Sequence, residues 1–261
     1  MSNFRFAKDF ALHRLKGKTR HGTHSPFVYR LVDKVIYDFS SKKVYDEVEA
    51  LRKTMLSDNR MISVTDLGAG SHINNNKQKM VSAIAKNALK PPRLAQLLYR
   101  LVADQQPTNM IELGTCLGIT SVYLSKGAPN AKLYTLEGCP GTAGVAKETL
   151  AKAGIENYEL IVGNFDDTLP NVLDSLEKVD FVFVDGNHTK EATLRYFNWC
   201  LPKLHDDTLL IFDDIYWSEG MKEAWAEIKA HPQVTVTVDL FWIGLVYFKK
   251  GREKEEFLIR L

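Results

Sequence analysis

The sequence is poor in cysteine. Its 261 residues contain three, Cys116, Cys139 and Cys200. They are odd in number and far apart, so they build neither a local disulfide framework nor a CxxC metal pair, and a reducing compartment is expected. Long apolar runs are also missing. Nothing approaches the roughly 20 apolar residues of a membrane span, and the N-terminus lacks the apolar stretch of a signal peptide. Charge of one sign is missing too: the net charge of +2 gives no global argument for nucleic acid or an anionic membrane as partner. These absences together lead to the expectation of a soluble cytoplasmic protein. There is no internal repeat and no low-complexity tract.

What is present is an ordinary globular composition, 45% hydrophobic and 25% charged. That suffices for one large α/β domain, or a domain with a cap. The start is locally basic: "FRFAKDFALHRLKGKTRH" holds six Lys/Arg against one Asp. Residues 1–60 read as helical and irregular. "SPFVYRLVDKVIYDF" has helical apolar spacing after Ser25 and Pro26, a good cap and first position. "KVYDEVEALRKTML" is a second amphipathic helix, and "KQKMVSAIAKNAL" and "PPRLAQLLYRLVADQ" are two more. "GAGSHINNNK", between the second and third of these, reads as a loop.

From about residue 109 short apolar runs alternate with amphipathic segments of helix length. The runs are "NMIELG", "KLYTLEG", "YELIVGN", "VDFVFVDG" and "TLLIFDD". Their ends, at Gly114, Glu137, Gly163, Asp185 and Asp213, recur every 22 to 28 residues. One strand-helix unit has about this length, so a parallel sheet wrapped by helices is expected. "VTVTVDL" and "WIGLVYFKK" have too little chain between them for a helix and read as an antiparallel edge pair. Gly244 reads as a bulge or turn. In such sheets ligands bind outside the carboxyl ends of the strands, and four of the five runs carry acids there: Glu112, Glu137, Asp185 and the pair Asp213–Asp214.

Two glycine loops compete for a nucleoside, "VTDLGAG" (Val64–Gly70) and "MIELGTCLG" (Met110–Gly118). A nucleoside-binding βαβ unit needs a helix after the loop, then a strand ending in an acid about 20 residues on, to hold the ribose hydroxyls. The first loop fails, because no Asp or Glu occurs from Leu67 to Ala103. The second passes: "ITSVYLSKGA" is a short helix and "AKLYTLEG" a strand ending at Glu137, 23 residues after Gly114. The passing loop is G-x-x-x-G. It lacks the third glycine of the dinucleotide fingerprint, so it suits a ribose cofactor without phosphates better than NAD.

The blocks "IELGTCLGITS", "LYTLEG", "GNFDDTLP", "VDFVFVDGNH" and "LLIFDDI", in this order, resemble the class I S-adenosylmethionine-dependent methyltransferases. Within them the similarity is greatest to the catechol and caffeoyl-coenzyme A O-methyltransferase group. The resemblance covers residues 91–250. It implies a Rossmann-like α/β fold with a seven-stranded sheet, mostly parallel with one antiparallel strand near the C-terminus, and helices on both faces. Residues 91–261 would form the cofactor-binding domain, and residues 1–90 a helical cap that shapes the acceptor pocket. The implied activity is methyl transfer from S-adenosylmethionine to a hydroxyl of a small molecule, with Mg2+ as a second cofactor.

The resemblance also implies roles. Glu137 accepts both ribose hydroxyls, for which a carboxylate has enough lone pairs. Gly114 and Gly118 let the backbone approach the methionine part. Glu112 corresponds to the acid near the methionine amino group; the alternative is a helix-capping acid. Asn164 and Asp166 lie where the family contacts adenine, and the alternative is that Asp166 or Asp167 caps the next helix. Asp185, Asp213 and Asp214 correspond to the set holding one Mg2+, with Asp214 in place of the usual Asn. His188 stands where the catechol group has its lysine base, and a histidine can serve as a base near neutral pH. As alternatives, Asp185 orders the cofactor, the 213–214 pair caps a helix and His188 caps the next one.

His13, His21 and His24 lack further ligands at metal-site spacing and are expected in a solvated or substrate-facing loop. Trp217 is the candidate for a substrate-facing aromatic, and Phe27 and Tyr29 are wall candidates with core packing as the alternative. The implied partner is a small hydroxylated acceptor, with no membrane and no expected nucleic acid; a homodimer is left open. Two alternatives remain: a methyltransferase on RNA or protein, and a regulatory protein that binds S-adenosylmethionine without turnover. Val64–Gly70 is left as a structural turn or a lid, with Asp66 as its marker.

Overall fold

All five apolar runs of residues 109–213 are strands in the computed structural model, which describes residues 3–22, 24–65 and 77–261. The chain divides into two compact units, one of residues 1–38 and 175–261, the other of residues 39–174.

The N-terminal part of the first unit contributes α1 (Asn3–Lys16) and α2 (Pro26–Leu31), which runs on into a π-helical segment, Val32–Ile36. Pro26 opens α2, as expected of a residue whose missing N–H costs nothing at that position.

The second unit begins with α3 (Lys43–Leu56), followed by an antiparallel pair of short strands, β1 (Met61–Val64) and β2 (Lys77–Met80). Then come α4 (Val81–Ala88) and α5 (Pro92–Gln105). The expected helix "KQKMVSAIAKNAL" is thus corrected: its first four residues pair with β1 and its helix starts at Val81. The turn of Val64–Gly70 lies outside the described residues from Asp66 on. The unit closes with β3 (Asn109–Leu113), α6 (Ile119–Gly127), β4 (Lys132–Glu137), α7 (Pro140–Lys152), β5 (Tyr158–Val162) and α8 (Phe165–Ser175). β3, β4 and β5 pair in parallel.

The C-terminal part of the first unit holds β6 (Phe181–Val184), α9 (Lys190–Cys200), β7 (Leu209–Asp213), α10 (Glu219–Ala230), β8 (Val236–Asp239), β9 (Ile243–Tyr247) and β10 (Glu255–Leu258). β6 and β7 are buried along their whole length, which is why they read as continuous apolar runs rather than alternating ones. Thr189 and Ser218 cap α9 and α10, each side chain accepting a backbone N–H three residues on.

The fold class is the expected one. The large sheet has the order β10-β8-β9-β7-β6-β3-β4-β5. β9 is antiparallel to both β7 and β8, and the other pairings of this sheet inside each unit are parallel. An eighth strand, β10, joins the seven expected ones; it takes the edge beside β8, so the β8–β9 pair is antiparallel but not at the edge. Gly244 forms neither bulge nor turn. It sits in register in β9, and a Cβ there would lie 2.6 Å from the Trp225 ring, so the glycine makes room for an indole. Among the described residues no helix is long and apolar enough to cross a membrane.

Candidate functional site

In the second unit the residues expected to hold the cofactor sit at the carboxyl ends of β3, β4 and β5. The loop after β3 is built from left-handed backbone: φ is 101° at Gly114, 51° at Cys116 and 84° at Gly118. It is pinned to β4 by N–H groups of Gly114 and Thr115 donating to Leu136 O at 2.9 and 3.3 Å. Gly118 has a second reason to be glycine, since a Cβ would stand 3.2 Å from the Ala146 backbone of α7.

Glu137 ends β4. Its Oε2 accepts the Cys116 N–H at 2.7 Å and its Oε1 the Cys139 N–H at 2.9 Å. The Thr142 side chain and the Gly138 N–H also donate to this carboxylate. Burial pushes the carboxyl above its ordinary range, against the pull of those N–H groups.

Glu112 is fully buried in β3. Its Oε2 accepts Ser121 Oγ of α6 at 2.5 Å and Thr135 Oγ1 of β4 at 2.6 Å. Helix α6 starts at Gly118 without a side-chain cap, so Glu112 is not a capping acid. Asn164, rather than either aspartate, starts α8: its Oδ1 accepts the Asp166 N–H at 3.1 Å, and Asp166 follows in the first turn, half-buried. Ser121, Thr135 and the N–H groups of Cys116 and Cys139 were missed in the sequence. Only the i+9 spacing of Ser121 from Glu112 across the loop hints at any of them.

In the first unit a second group gathers where β6 and β7 end. Asp185, His188 and Asp213 each offer one ligand atom, all within 4.8 Å of one another. His188 Nε2 lies 3.7 Å from Asp185 Oδ1 and 3.9 Å from Asp214 Oδ2, beyond hydrogen-bond reach of either. The expected acid trio is thus brought together as Asp185 and Asp213 with His188, while Asp214 reaches the group through the imidazole. Asp213 is buried. Asp214 is left-handed, φ 53°, with its N–H donating to Trp242 O at 2.8 Å. Asn187 is left-handed as well, φ 51°; its Nδ2 donates to Tyr196 Oη at 3.2 Å, which sets the tight corner between Asp185 and His188. Carboxylate oxygens beside an imidazole nitrogen fit a divalent cation that accepts hard ligands.

Other expectations fare differently. His13 is not in a solvated loop: it is buried on α1, with Nε2 donating to Asp239 Oδ1 at 3.0 Å. His24 is exposed, and the His21 side chain lies outside the described part. Trp217 is 51% exposed. Phe27 packs edge-on against Tyr247 at 5.0 Å, the core alternative, whereas Tyr29 is exposed.

The family described as "Methyltransferase domain" matches residues 111–215. A catechol O-methyltransferase from Niastella koreensis is 29% identical over 127 residues, 48% of this chain and 57% of that protein. Catechol O-methyltransferase B from Danio rerio is 34% identical over 126 residues, 46% of this chain and 47% of that protein. The chain thus spans about half the length of these curated relatives. Among solved structures, an O-methyltransferase from Bacillus cereus in complex with SAH superposes with a TM-score of 0.57, at 19% identity, over 81% of this chain and 93% of that one. This last likeness shows the fold.

Proposed function

We propose that this chain, whose residues 111–215 match the methyltransferase-domain family and which is similar to catechol O-methyltransferases, is a class I S-adenosylmethionine-dependent methyltransferase that transfers a methyl group to a hydroxyl of a small molecule, assisted by a divalent cation, Mg2+ in the first instance. The observation that carries this reading is the convergence of Asp185, His188 and Asp213. A cofactor cradle alone would serve methylation of any atom. A carboxylate-rich cation site suits an oxygen that must lose its proton first.

Glu137, at the end of β4 beside the glycine loop, takes the two ribose hydroxyls. Glu112, fixed by Ser121 and Thr135, supplies a buried carboxyl next to the Gly114–Gly118 loop, which suits the methionine ammonium. Asp166 is the acceptor for the adenine amino group, on a helix start built by Asn164. Asp185 and Asp213 are the hard ligands of the cation, with Asp214 beside them. A bound divalent cation would lower the pKa of the acceptor hydroxyl. His188 receives the hydroxyl proton, with the Asp185 and Asp214 carboxylates 3.7 and 3.9 Å from its Nε2.

Thermal shift and calorimetry with S-adenosylhomocysteine (SAH), NAD and Mg2+ test the assignment. SAH stabilises the wild type, and Glu137→Ala abolishes that effect; NAD stabilises neither. No stabilisation by SAH would overturn the cofactor. If EDTA changes neither binding nor turnover on catechol-like acceptors, the cation is wrong. SAH binding without turnover on any hydroxylated acceptor would favour the non-catalytic alternative.

A further inference from the structure

One carboxylate of the first unit that accepts four hydrogen bonds is not among the candidate ligands. Asp239 ends β8 and is buried. Its Oδ1 accepts His13 Nε2 at 3.0 Å and the Phe241 N–H at 2.9 Å. Its Oδ2 accepts Tyr216 Oη at 2.9 Å and Trp225 Nε1 at 3.1 Å. A carboxylate withdrawn from water is tolerated only when its lone pairs are filled in this way, and an apolar side chain would serve plain packing better. What Asp239 does is join segments: helix α1, helix α10, the β8–β9 turn, and the stretch just after Asp214.

Two of those segments bear directly on Asp214. The β8–β9 turn contains Phe241, a bulky residue with φ 72°, and next to it Trp242, whose carbonyl accepts the Asp214 N–H at 2.8 Å. Tyr216 follows Asp214 by two residues and stacks on Phe241, with ring centroids 4.7 Å apart and planes 16° from parallel. Asp214 and Phe241 both hold conformations that ordinary side chains avoid. Such backbone persists only where its surroundings over-determine it. Helix α1 completes those surroundings. Phe6, Phe10 and His13 set their rings edge-on to Phe241 at 5.1, 5.0 and 5.5 Å. Lys222 of α10 pairs with Asp9 at 2.9 Å, and Arg5 pairs with Glu219 at 3.1 Å.

We propose that Asp239 and helix α1 position the Asp213–Asp214 corner: His13 and Tyr216 lock the carboxylate, the carboxylate and the ring stack lock the Phe241–Trp242 turn, and the Trp242 carbonyl holds Asp214 in its left-handed conformation. The basic N-terminal helix is then part of the cation half of the chemistry through its His13 anchor. This rests on the reading that the corner holds a cation.

The test uses the full chain with His13→Leu, His13→Gln and Tyr216→Phe. Mn2+ affinity is read by calorimetry, SAH affinity likewise, and backbone order by hydrogen exchange over residues 213–217 and 111–118. His13→Leu is expected to weaken Mn2+ about tenfold, the effect of losing an outer support of a metal ligand. Exchange at 213–217 is expected to quicken about tenfold while 111–118 is unchanged. SAH affinity stays as in the wild type. His13→Gln keeps a donor for Asp239 and restores both readouts. Tyr216→Phe, which removes one oxygen and keeps the ring stack, shifts them in the same direction and carries the test if His13→Leu does not fold. Unchanged exchange at 213–217 in both His13→Leu and Tyr216→Phe overturns the proposal. A wild type that binds no Mn2+ overturns the cation reading instead, and the exchange measurement still decides the positioning role.

Discussion

The Glu137 carboxylate accepts the Cys116 N–H across 2.7 Å, joining the end of β4 to the middle of the glycine loop that follows β3. Cys116 can offer that N–H because its own φ is 51°. The loop conformation and the acid are therefore one device: the acid steadies a left-handed residue, and that residue orients the acid.

Replacing Glu137 by Gln keeps the shape and removes the charge, and it turns an amide NH2 group towards one of the two backbone donors. Hydrogen bonds to a charged group are worth about 1.5–3 kcal/mol. SAH affinity should fall roughly 10- to 100-fold in calorimetry. An unchanged dissociation constant would show that Glu137 is only a loop staple.

The same residue sets a pH dependence. Burial raises the folded carboxyl above its ordinary value of 4.5. A raised acid favours the native state in its protonated form. Its contribution to stability is therefore complete below 4.5 and is lost as pH rises through the folded value. Glu137→Gln should remove that slope from the thermal-unfolding profile. Hydroxyl donors from the cofactor favour the ionised form, so SAH should bind with proton release in the same window and more tightly as pH rises through it. Calorimetry in two buffers of different ionisation enthalpy reads the released proton; none released by the wild type would sink the linkage.

The parts of this site that were legible in the sequence are those that covalent spacing fixes. A strand, a loop, a helix and a second strand have nearly constant lengths, so Glu137 could be placed from Gly114 alone, and the recurring run ends marked the sheet. His13 was not legible because its partner Asp239 is 226 residues away. Asp214 was read as a ligand equal to Asp213; whether it faces the same point depends on its φ of 53°, which no spacing rule reports. β2 was read as helix because "KQKM" carries no strand signal of its own and is exposed throughout; its pairing with β1 decides its conformation. The fully buried runs were the easiest, since parallel strands covered on both faces can hardly be anything but apolar.

Gly118→Ala should be costly on two grounds. Its φ is 84°, and the added methyl would meet the Ala146 backbone at 3.2 Å. The left-handed penalty is about 1–2 kcal/mol, and overpacking adds about 1–3 kcal/mol. A loss of about 3 kcal/mol in denaturant unfolding is expected, with SAH affinity reduced as well because α6 starts at this residue. A variant as stable as the wild type would mean that α7 can move aside without cost.

The Asp185, His188 and Asp213 group separates cation binding from proton transfer. Asp213→Asn removes the charge of a buried ligand and should weaken Mn2+ about 10- to 100-fold, the range seen when a metal's supporting carboxylates are altered. His188→Gln leaves both carboxylates in place. If the imidazole acts as the base, Mn2+ affinity should stay close to wild type while turnover on a hydroxylated acceptor falls about 100- to 10,000-fold. If the imidazole instead ligates the cation, affinity and turnover should fall together, and pulsed electron paramagnetic resonance of bound Mn2+ should show a nitrogen coupling that His188→Gln removes. Nε2 lies 3.7 and 3.9 Å from the two carboxylates; with His188 in the role of base the expected outcome is the first: tight Mn2+ binding without nitrogen coupling, and a large loss of turnover in His188→Gln alone.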